Sequence, residues 1–372
     1  MKKIISTILA VCLLLTLLGC QQPGNSTTNS TDESTSPADA VVTMDVPFTA
    51  VSVPAYTESV SADDGTVVFT KTAQHIGLTL SGQAAADNII LDFLNRVDAA
   101  TANAETIAAS AKNAYTGSDN WIPYTSSVQF NPTRIDQGVL SLYGTSVSYT
   151  GGSHPDYSCV SANYNMITGE SLTLGSILTG VDSVSKLKDL VLDELKNQAE
   201  EKYLRTGYEE QINQRFAGEE SYDDDWYFSD EGLCFYFAPY EIAPYSSGVI
   251  IAQIPYEKLV GIIVDEFFPP ERQNLTGTIQ MVPFDSETSQ YANSSEIVFD
   301  NEGQMYALEA DSCVQDLRLT VTDPESADTY TAYAALYLNP GDAIIVQCSP
   351  EALSTLALHY RNGNEIVTLP LK

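Results

Sequence analysis

The sequence predicts an α+β fold, in which an antiparallel sheet is packed by two long helices, followed by an all-β, immunoglobulin-like sandwich. Two stretches carry apolar residues at helical spacing, and the strand-like runs around them lack the regular alternation of a parallel βαβ fold. After residue 270, eight short β-patterned runs follow one another with turn residues between them. We therefore expect an α+β domain over residues 41–270 and a β-sandwich domain over residues 271–372.

The start of the chain predicts export and anchoring. Two lysines precede an apolar run over residues 4–18 and a glycine before Cys20, the pattern of a lipoprotein signal peptide over residues 1–19. A plain membrane anchor is disfavoured, because the run is too short for a stable spanning helix. We expect a lipidated Cys20 to hold an extracytoplasmic protein at the outer face of the bacterial cytoplasmic membrane. Residues 20–40 are mostly polar and predict a disordered tether.

The two predicted helices are separated by a run of strands. The first covers about residues 83–115, and the second begins at Asp182 or Ser183; each has apolar residues on one face and polar residues on the other. Such helices are expected to pack their apolar faces on the sheet.

A hairpin with an elaborate tip is predicted between the helices. One β-patterned run enters a Gly-Gly-Ser-His-Pro loop and a second run leaves it. Gly151 and Gly152 permit backbone torsions closed to other residues, and Pro155 fixes its own φ. We expect this loop to hold the imidazole of His154 in a defined position, with Tyr157 just beyond it.

A second rigid element is predicted over residues 239–245, with the sequence Pro-Tyr-Glu-Ile-Ala-Pro-Tyr. Two prolines five residues apart favour a stiff, non-helical corner, which would hold Tyr240, Glu241 and Tyr245 at low entropic cost. The tyrosines fit either a structural role, tying a loop to the sheet, or ligand binding.

Three stretches together resemble a known family: the hairpin, the segment over residues 165–178, and FYFAPYEIAPYSSGVIIAQIPYEKL from Phe235. They are similar to the extracytoplasmic domain of the lysozyme-sensing anti-sigma factor RsiV, which also precedes the catalytic domain of some peptidoglycan deacetylases. The resemblance covers roughly residues 60–268 and leaves the C-terminal domain unassigned. It implies a receptor-like domain that binds a muramidase. The sigma-binding and deacetylase parts of those proteins have no counterpart in this sequence, so we expect neither activity.

The charge balance favours basic partners over nucleic acid. The chain has 49 acidic and 17 basic residues and a formal charge of −32, which becomes −34 when residues 1–19 are removed, because they contain two lysines and no acid. A charge of this sign repels nucleic acid and steers basic proteins, an effect that salt weakens. The alternative is that the acidic surface only keeps a secreted protein soluble.

Four cysteines lie beyond the first 20 residues, in a compartment that favours disulfides. The domain boundaries favour Cys159–Cys234 and Cys313–Cys348 among the three pairings, and the alternative is four buried free thiols. The spacing of these cysteines and of the three histidines does not predict a metal site, and we expect no cofactor.

These features predict a binding protein rather than an enzyme. Ser153 beside His154 lacks the flanking pattern of a nucleophile elbow, and the sequence assigns no partner acid. Our leading hypothesis is a non-catalytic surface lipoprotein that binds a cell-envelope ligand or a cationic muramidase such as lysozyme. The alternatives are a peptidoglycan- or glycan-binding module, with sugars stacked on tyrosines, and a cell-wall hydrolase. The candidate binding residues are Gly151, Gly152, His154, Tyr157, Tyr240, Glu241 and Tyr245.

Overall fold

The computed structural model describes residues 41–117, 120–200, 202–217, 225–286, 289–324 and 327–371. Val41–Lys372 forms one compact unit. The predicted signal peptide, the predicted lipidation site Cys20 and the predicted tether lie outside the described residues. Within these ranges, none of the helices combines the length and the apolar character needed to cross a membrane.

Helices and strands occur along the whole length of the described residues. The helices are α1 (Gln83–Ala100), α2 (Ala104–Ala114), α3 (Leu174–Ile177), α4 (Val181–Gln198), α5 (Tyr208–Ala217) and α6 (Pro350–Leu353). The strands before residue 270 are β1 (Ala50–Ser52), β2 (Ala55–Ser61), β3 (Val67–Gln74), β4 (Gly77–Thr79), β5 (Tyr124–Ile135), β6 (Val139–Tyr149), β7 (Asp156–Asn165), β8 (Trp226–Phe228), β9 (Gly232–Phe237) and β10 (Ile250–Pro255). The strands after it are β11 (Ile279–Pro283), β12 (Asn293–Val298), β13 (Gln304–Ala310), β14 (Val314–Thr322), β15 (Thr329–Leu338), β16 (Asp342–Cys348), β17 (Leu356–Asn362) and β18 (Glu365–Pro370).

The α+β part is built on a five-stranded sheet with the order β2-β3-β5-β6-β7. Strands β3 and β5 are parallel, and the other neighbours are antiparallel. Helix α1 buries Ile89, Phe93 and Val97 against one face of this sheet, where they meet Phe130 and Leu142. Successive residues of a strand point to opposite faces, so the face away from α1 is formed by the alternate residues of the same strands.

A small antiparallel sheet, β10-β9-β8, packs on α4. Helix α4 begins one residue before the predicted start, and its apolar face is buried. The shared core includes Leu187, Val191, Leu195, Trp226, Phe228, Phe235 and Phe237.

Polar contacts join the small sheet to the larger one. The amide of Asn163 donates to the carbonyl oxygen of Trp226 at 2.9 Å, and the N–H of Phe228 donates to Ser141 Oγ at 2.9 Å. The hydroxyl of Ser141 in turn donates to the side-chain oxygen of Asn163 at 2.5 Å. All of these groups are buried, so the network satisfies polar atoms that would otherwise be costly to bury.

A β-sandwich follows, as the sequence predicts. Eight strands, β11–β18, lie in the described residues after 270, the same number as the β-patterned runs. A six-stranded sheet, β18-β17-β14-β15-β1-β4, and a four-stranded sheet, β11-β13-β16-β12, share one core. The predicted class, α+β followed by a β-rich domain, is confirmed. A parallel pairing of β12 with β16 departs from the all-antiparallel sheets of immunoglobulin domains.

Two short strands from before α1 complete the six-stranded sheet. Strand β1 pairs with β15, with Ala50 opposite Ala335, and β4 pairs with the other edge of β1. Ala50 and Val51 are fully buried. The sandwich therefore includes residues from the segment that we assigned to the first domain.

The first predicted helix is two helices. Helix α1 ends at Ala100 and α2 begins at Ala104, so the prediction of one helix over residues 83–115 is wrong. The hydroxyl of Thr101, a buried residue, donates to the carbonyl oxygen of Val97 at 2.9 Å. A side chain that competes for main-chain carbonyls in this way favours the end of a helix.

Candidate ligand-binding site

The tip of the β6–β7 hairpin has the predicted constrained backbone. Gly151 has a φ of 87°, and a Cβ atom there would lie 2.9 Å from the hydroxyl oxygen of Tyr124, so both the torsion and the close approach require glycine. Gly152 lies beside it in open space, where a Cβ atom would approach only the carbonyl oxygen of His154, at 3.6 Å. The backbone of the tip therefore passes close to the ring of Tyr124.

The Pro-Tyr-Glu-Ile-Ala-Pro-Tyr segment forms the predicted non-helical corner. Its turn is closed twice, because the N–H of Glu241 donates to the carbonyl oxygen of Ala238 and the N–H of Ala238 donates to Glu241 Oε2, each at 3.0 Å. Tyr240 between them has a φ of 71°, which is unfavourable for a residue with a side chain. The corner ends in a 3₁₀ turn at Tyr245–Ser247.

The hairpin tip and the corner bring their rings together, although the sequence separates them by about 85 residues. The ring of Tyr245 is at the centre, with its centroid 4.5 Å from that of His154, 5.3 Å from that of Tyr240 and 6.2 Å from that of Tyr157. We call these four side chains the aromatic patch. Four of the seven predicted binding residues, drawn from both segments, therefore form one surface.

A single carbonyl group ties the two segments together. The oxygen of Pro155 accepts a hydrogen bond from the Tyr245 hydroxyl at 3.2 Å and lies 3.0 Å from Nδ1 of His154. Since a carbonyl only accepts, Nδ1 carries the proton in this contact, which leaves Nε2 of a neutral ring as an acceptor facing other partners.

The aromatic patch is open to solvent. Tyr157 is 43% exposed and Tyr240 is 52% exposed, and His154 is also exposed. Desolvation, then the neighbouring phenols of Tyr157 and Tyr240, and then the carboxylate of Asp156 raise the pKa of Tyr245. The hydroxyl of Tyr245 therefore remains protonated and able to donate at neutral pH.

Glu241 is held by a cation rather than left free in the patch. Its carboxylate pairs with the guanidinium of Arg215 in α5, which also pairs with Asp225. Burial raises the pKa of Glu241, and Arg215 together with the N–H of Ala238 opposes that shift. Glu241 thus stabilises the corner through its bonds to Ala238 and Arg215 and is not one of the side chains of the aromatic patch.

The imidazole of His154 contacts an aromatic ring and a main-chain carbonyl group. Its ring lies against Tyr245, and its Nδ1 contact is with a main-chain carbonyl. A catalytic base needs an orienting group and a nucleophile within hydrogen-bond reach. The absence of catalysis stays a prediction.

The structure corrects the predicted disulfides. Cys159, Cys234, Cys313 and Cys348 are free thiols. Cys159 and Cys234 lie in one small cluster with several tyrosine rings, and the hydroxyl of Tyr143 is 3.5 Å from Cys159 Sγ. Cys313 and Cys348 lie in different clusters. Burial raises the pKa of Cys234 to about 11, so this thiol is protonated and unreactive at neutral pH.

Two contributors to the site were missed by sequence reasoning. Arg215 is remote from the corner in sequence, and only the charge of Glu241 in a rigid turn could have indicated that a cation lies nearby. Tyr124, which stacks on Trp121 with centroids 5.2 Å apart, supports Gly151. Within the described ranges, no group of three or more His, Cys, Asp or Glu side chains is arranged to hold a metal ion.

Part of the chain matches a known family. Residues 177–257 match the family described as "Protein of unknown function (DUF3298)", a range that contains the corner but not the hairpin tip. A solved DUF3298 family member from Bacteroides fragilis NCTC 9343 is 19% identical with a TM-score of 0.39, and the match covers 59% of this chain and 94% of that chain. A DUF3298 family protein from Pseudomonas aeruginosa PAO1 is 19% identical with a TM-score of 0.38, covering 59% of this chain and 97% of that chain. No curated protein matches.

Proposed function

We propose that this protein is a non-catalytic surface lipoprotein that binds a basic protein of the cell envelope, a cationic muramidase such as lysozyme, at the aromatic patch. The observation that carries the proposal is the convergence of His154, Tyr157, Tyr240 and Tyr245, from two remote segments, into one solvent-open surface. Clustered aromatic side chains on rigid backbone are typical of the anchor residues in protein interfaces.

Charge supports a basic partner. The chain carries a formal charge of −32, and Asp156 lies at the rim of the patch. A strongly acidic protein attracts a basic one at long range, and the aromatic anchors then supply short-range contacts. The resemblance to the lysozyme-sensing domain leads to the same ligand.

Titration of the compact unit from Val41 with lysozyme tests this proposal. We expect binding at low ionic strength that weakens as salt is added, because salt screens the attraction between opposite charges. A double variant, Tyr240→Ala with Tyr245→Ala, should weaken binding by about tenfold or more, since loss of an interface anchor costs about 2 kcal/mol. Tyr306→Ala, a half-buried tyrosine of the sandwich, is the matched control. Absence of binding at low salt would contradict the proposal.

A second candidate is glycan binding, and a specific observation favours it. Three of the predicted binding residues, Tyr157, Tyr240 and Tyr245, lie in one cluster with the ring of Tyr245 at its centre. The apolar face of a sugar ring packs well on an aromatic ring whose hydroxyl can also form hydrogen bonds. Pull-down on purified cell wall tests this candidate: binding should be lost when all three tyrosines are replaced by alanine, and binding that survives would count against it.

The non-catalytic part of the proposal has its own test. Purified wild-type protein and the His154→Ala variant should show equal, background rates on cell-wall substrates. Hydrolysis by the wild type that disappears in His154→Ala would replace the binding proposal with a hydrolase.

A further inference from the structure

The five-stranded sheet has a second face that α1 does not cover, and this face is lined with hydroxyl groups. Strand register puts its side chains in rows that cross the sheet. One row contains Ser59, Thr70, Thr125 and Tyr149, and the next contains Thr57, Thr72, Ser127, Val147 and Tyr157. Residues paired directly across strands point to the same side of a sheet. We call the Ser and Thr residues of these two rows the hydroxyl face.

The alternating burial of side chains along β5 shows on which side of the sheet the hydroxyl face lies. Val128 and Phe130 are fully buried in the core under α1, whereas the intervening Ser127 and Gln129 are only half-buried. The hydroxyl face is therefore the side opposite α1.

On this side of the sheet, the cross-strand row in which Asn131 pairs with Tyr143 contacts two neighbouring parts of the protein. Toward the sandwich, Asn131 accepts a hydrogen bond from the N–H of Thr331 at 2.8 Å. Toward the small sheet, the ring of Tyr143 stacks on Tyr227 with centroids 4.7 Å apart. Nearer the tip of the β6–β7 hairpin than that row, the two rows of the hydroxyl face remain half-exposed or exposed. They form an open floor that ends at Tyr157, a member of the aromatic patch.

The two rows contain no charged residue, although the chain has 49 acids. The charged residues of the same strands, Glu58 and Lys71, face the other way and line a cleft with Asp98 and Glu105 of the helical side. A neutral, hydroxyl-bearing face in so acidic a protein does not match a basic partner. It matches a partner that is polar and uncharged.

We infer that the hydroxyl face binds a linear, uncharged glycan chain, one end of which stacks on the aromatic patch. The inference rests on the glycan-binding candidate and extends it from one stacked sugar to several. Ser and Thr hydroxyls both donate and accept, as sugar hydroxyls do, and they offer these contacts without burying a charge. The hydroxyls of Thr57 and Thr72 share one hydrogen bond at 3.1 Å, which leaves the pair one donor and further acceptor positions for a sugar. The row that ends at Tyr157 crosses five strands and so spans about 19 Å at the usual strand spacing. That length exceeds a single sugar ring.

Calorimetric titration with N-acetylglucosamine oligomers, from dimer to hexamer, tests the inference on the compact unit from Val41. Affinity should rise with oligomer length and should be insensitive to salt, because the ligand is neutral. The double variant Thr72→Val with Ser127→Ala should weaken hexamer binding about tenfold, through lost hydrogen bonds, and leave dimer binding unchanged. Tyr157→Ala should weaken both. Ser158→Ala removes an exposed hydroxyl from the next position of β7, on the opposite side of the sheet, and should change neither.

The outcomes distinguish failure of this inference from failure of glycan binding at the aromatic patch, on which it rests. If no oligomer binds, both are overturned. If the dimer binds and Tyr157→Ala weakens it, but length and the double variant have no effect, glycan binding stands and the role of the hydroxyl face is overturned. Equal urea unfolding midpoints of the variants and the wild type confirm that each variant is folded. Should the double variant unfold, Thr125→Glu replaces it, because a carboxylate on the face should also weaken hexamer binding selectively.

Discussion

On one side of the five-stranded sheet, α1 covers an apolar layer that includes Phe130 and Leu142. On the other side, the small sheet covers only part of a polar layer, through Ser141, Asn163 and Arg134, and leaves the hydroxyl face open. Both sides are built from the same strands, so the difference comes from alternate residues alone. One side supplies burial of apolar surface, and the other supplies polar groups that form hydrogen bonds. The predictions below test that division.

The largest effect is expected where the polar side is most deeply buried. Arg134 pairs with Asp136 at 2.6 Å and donates to the hydroxyl of Tyr256 at 2.8 Å and to the carbonyl of Phe267 at 2.6 Å. Replacing it, Arg134→Met, leaves the Asp136 carboxylate buried without its cation, which should lower the free energy of unfolding by about 3–5 kcal/mol. Urea denaturation measures this.

A matched ion pair nearer the surface provides the control. Arg318 pairs with Asp230 at 2.8 Å, and both side chains are partly exposed. Arg318→Met should cost about 1 kcal/mol or less, since water solvates the carboxylate that is left behind. Equal effects of the two substitutions would show that burial does not decide the strength of the polar layer.

A second pair of substitutions compares the two sides on a single strand. Leu142 is fully buried under α1, so Leu142→Ala should lower the free energy of unfolding by about 2–5 kcal/mol through lost burial and the cavity left behind. Thr145→Ala, on the opposite side of β6, should change it by about 0.5 kcal/mol or less. A large loss in Thr145→Ala would mean that the open side serves stability.

The smallest effect concerns pH and the corner. Burial raises the pKa of Glu241 in the folded protein above its value in the unfolded chain, so the folded state holds this proton more tightly. The contribution of Glu241 to stability is therefore fully present below the unfolded pKa and is lost as pH rises through the folded pKa. The unfolding free energy of the wild type minus that of Glu241→Gln should accordingly fall as pH rises from the ordinary glutamate range toward neutrality.

The same difference measured in an Arg215→Met background gives the control. Loss of the guanidinium removes the interaction that opposes the shift, so the fall should extend to higher pH. A difference that rises with pH when Arg215 is present would show that pairing with this cation, and not burial, dominates at Glu241.

Local pattern predicted much of this structure. Apolar spacing located α1 and α4, alternation gave the β6–β7 hairpin and the eight later strands, and Gly151 and the prolines identified the two rigid segments. Each of these features depends on neighbours within a few residues.

What the pattern missed depends on residues distant in sequence. No local signal pairs Ala50 with Ala335, directs Arg215 to Glu241, or keeps Cys159 and Cys234 from forming a bridge. The Thr residues of the hydroxyl face alternate with Lys71 along β3, whereas on β5 Ser126 of the opposite face stands between Thr125 and Ser127. Their alignment into rows, however, requires the register between strands, which depends on turn geometry and on burial of the opposite face.

Strand β1 also has a consequence for the order in which the chain becomes able to fold. Its partner β15 is synthesised nearly 280 residues later, and the N–H of Val53 likewise bonds to the carbonyl of Ala332, at 2.7 Å. The six-stranded sheet therefore stays incomplete until almost the whole chain has been made. Until then, the edge of β1 that will receive β15 has unpaired main-chain groups, which are open to any other strand, including that of a second copy. A chain cut at residue 270 would keep that edge permanently exposed, and we expect it to aggregate rather than to behave as a smaller version of the same protein.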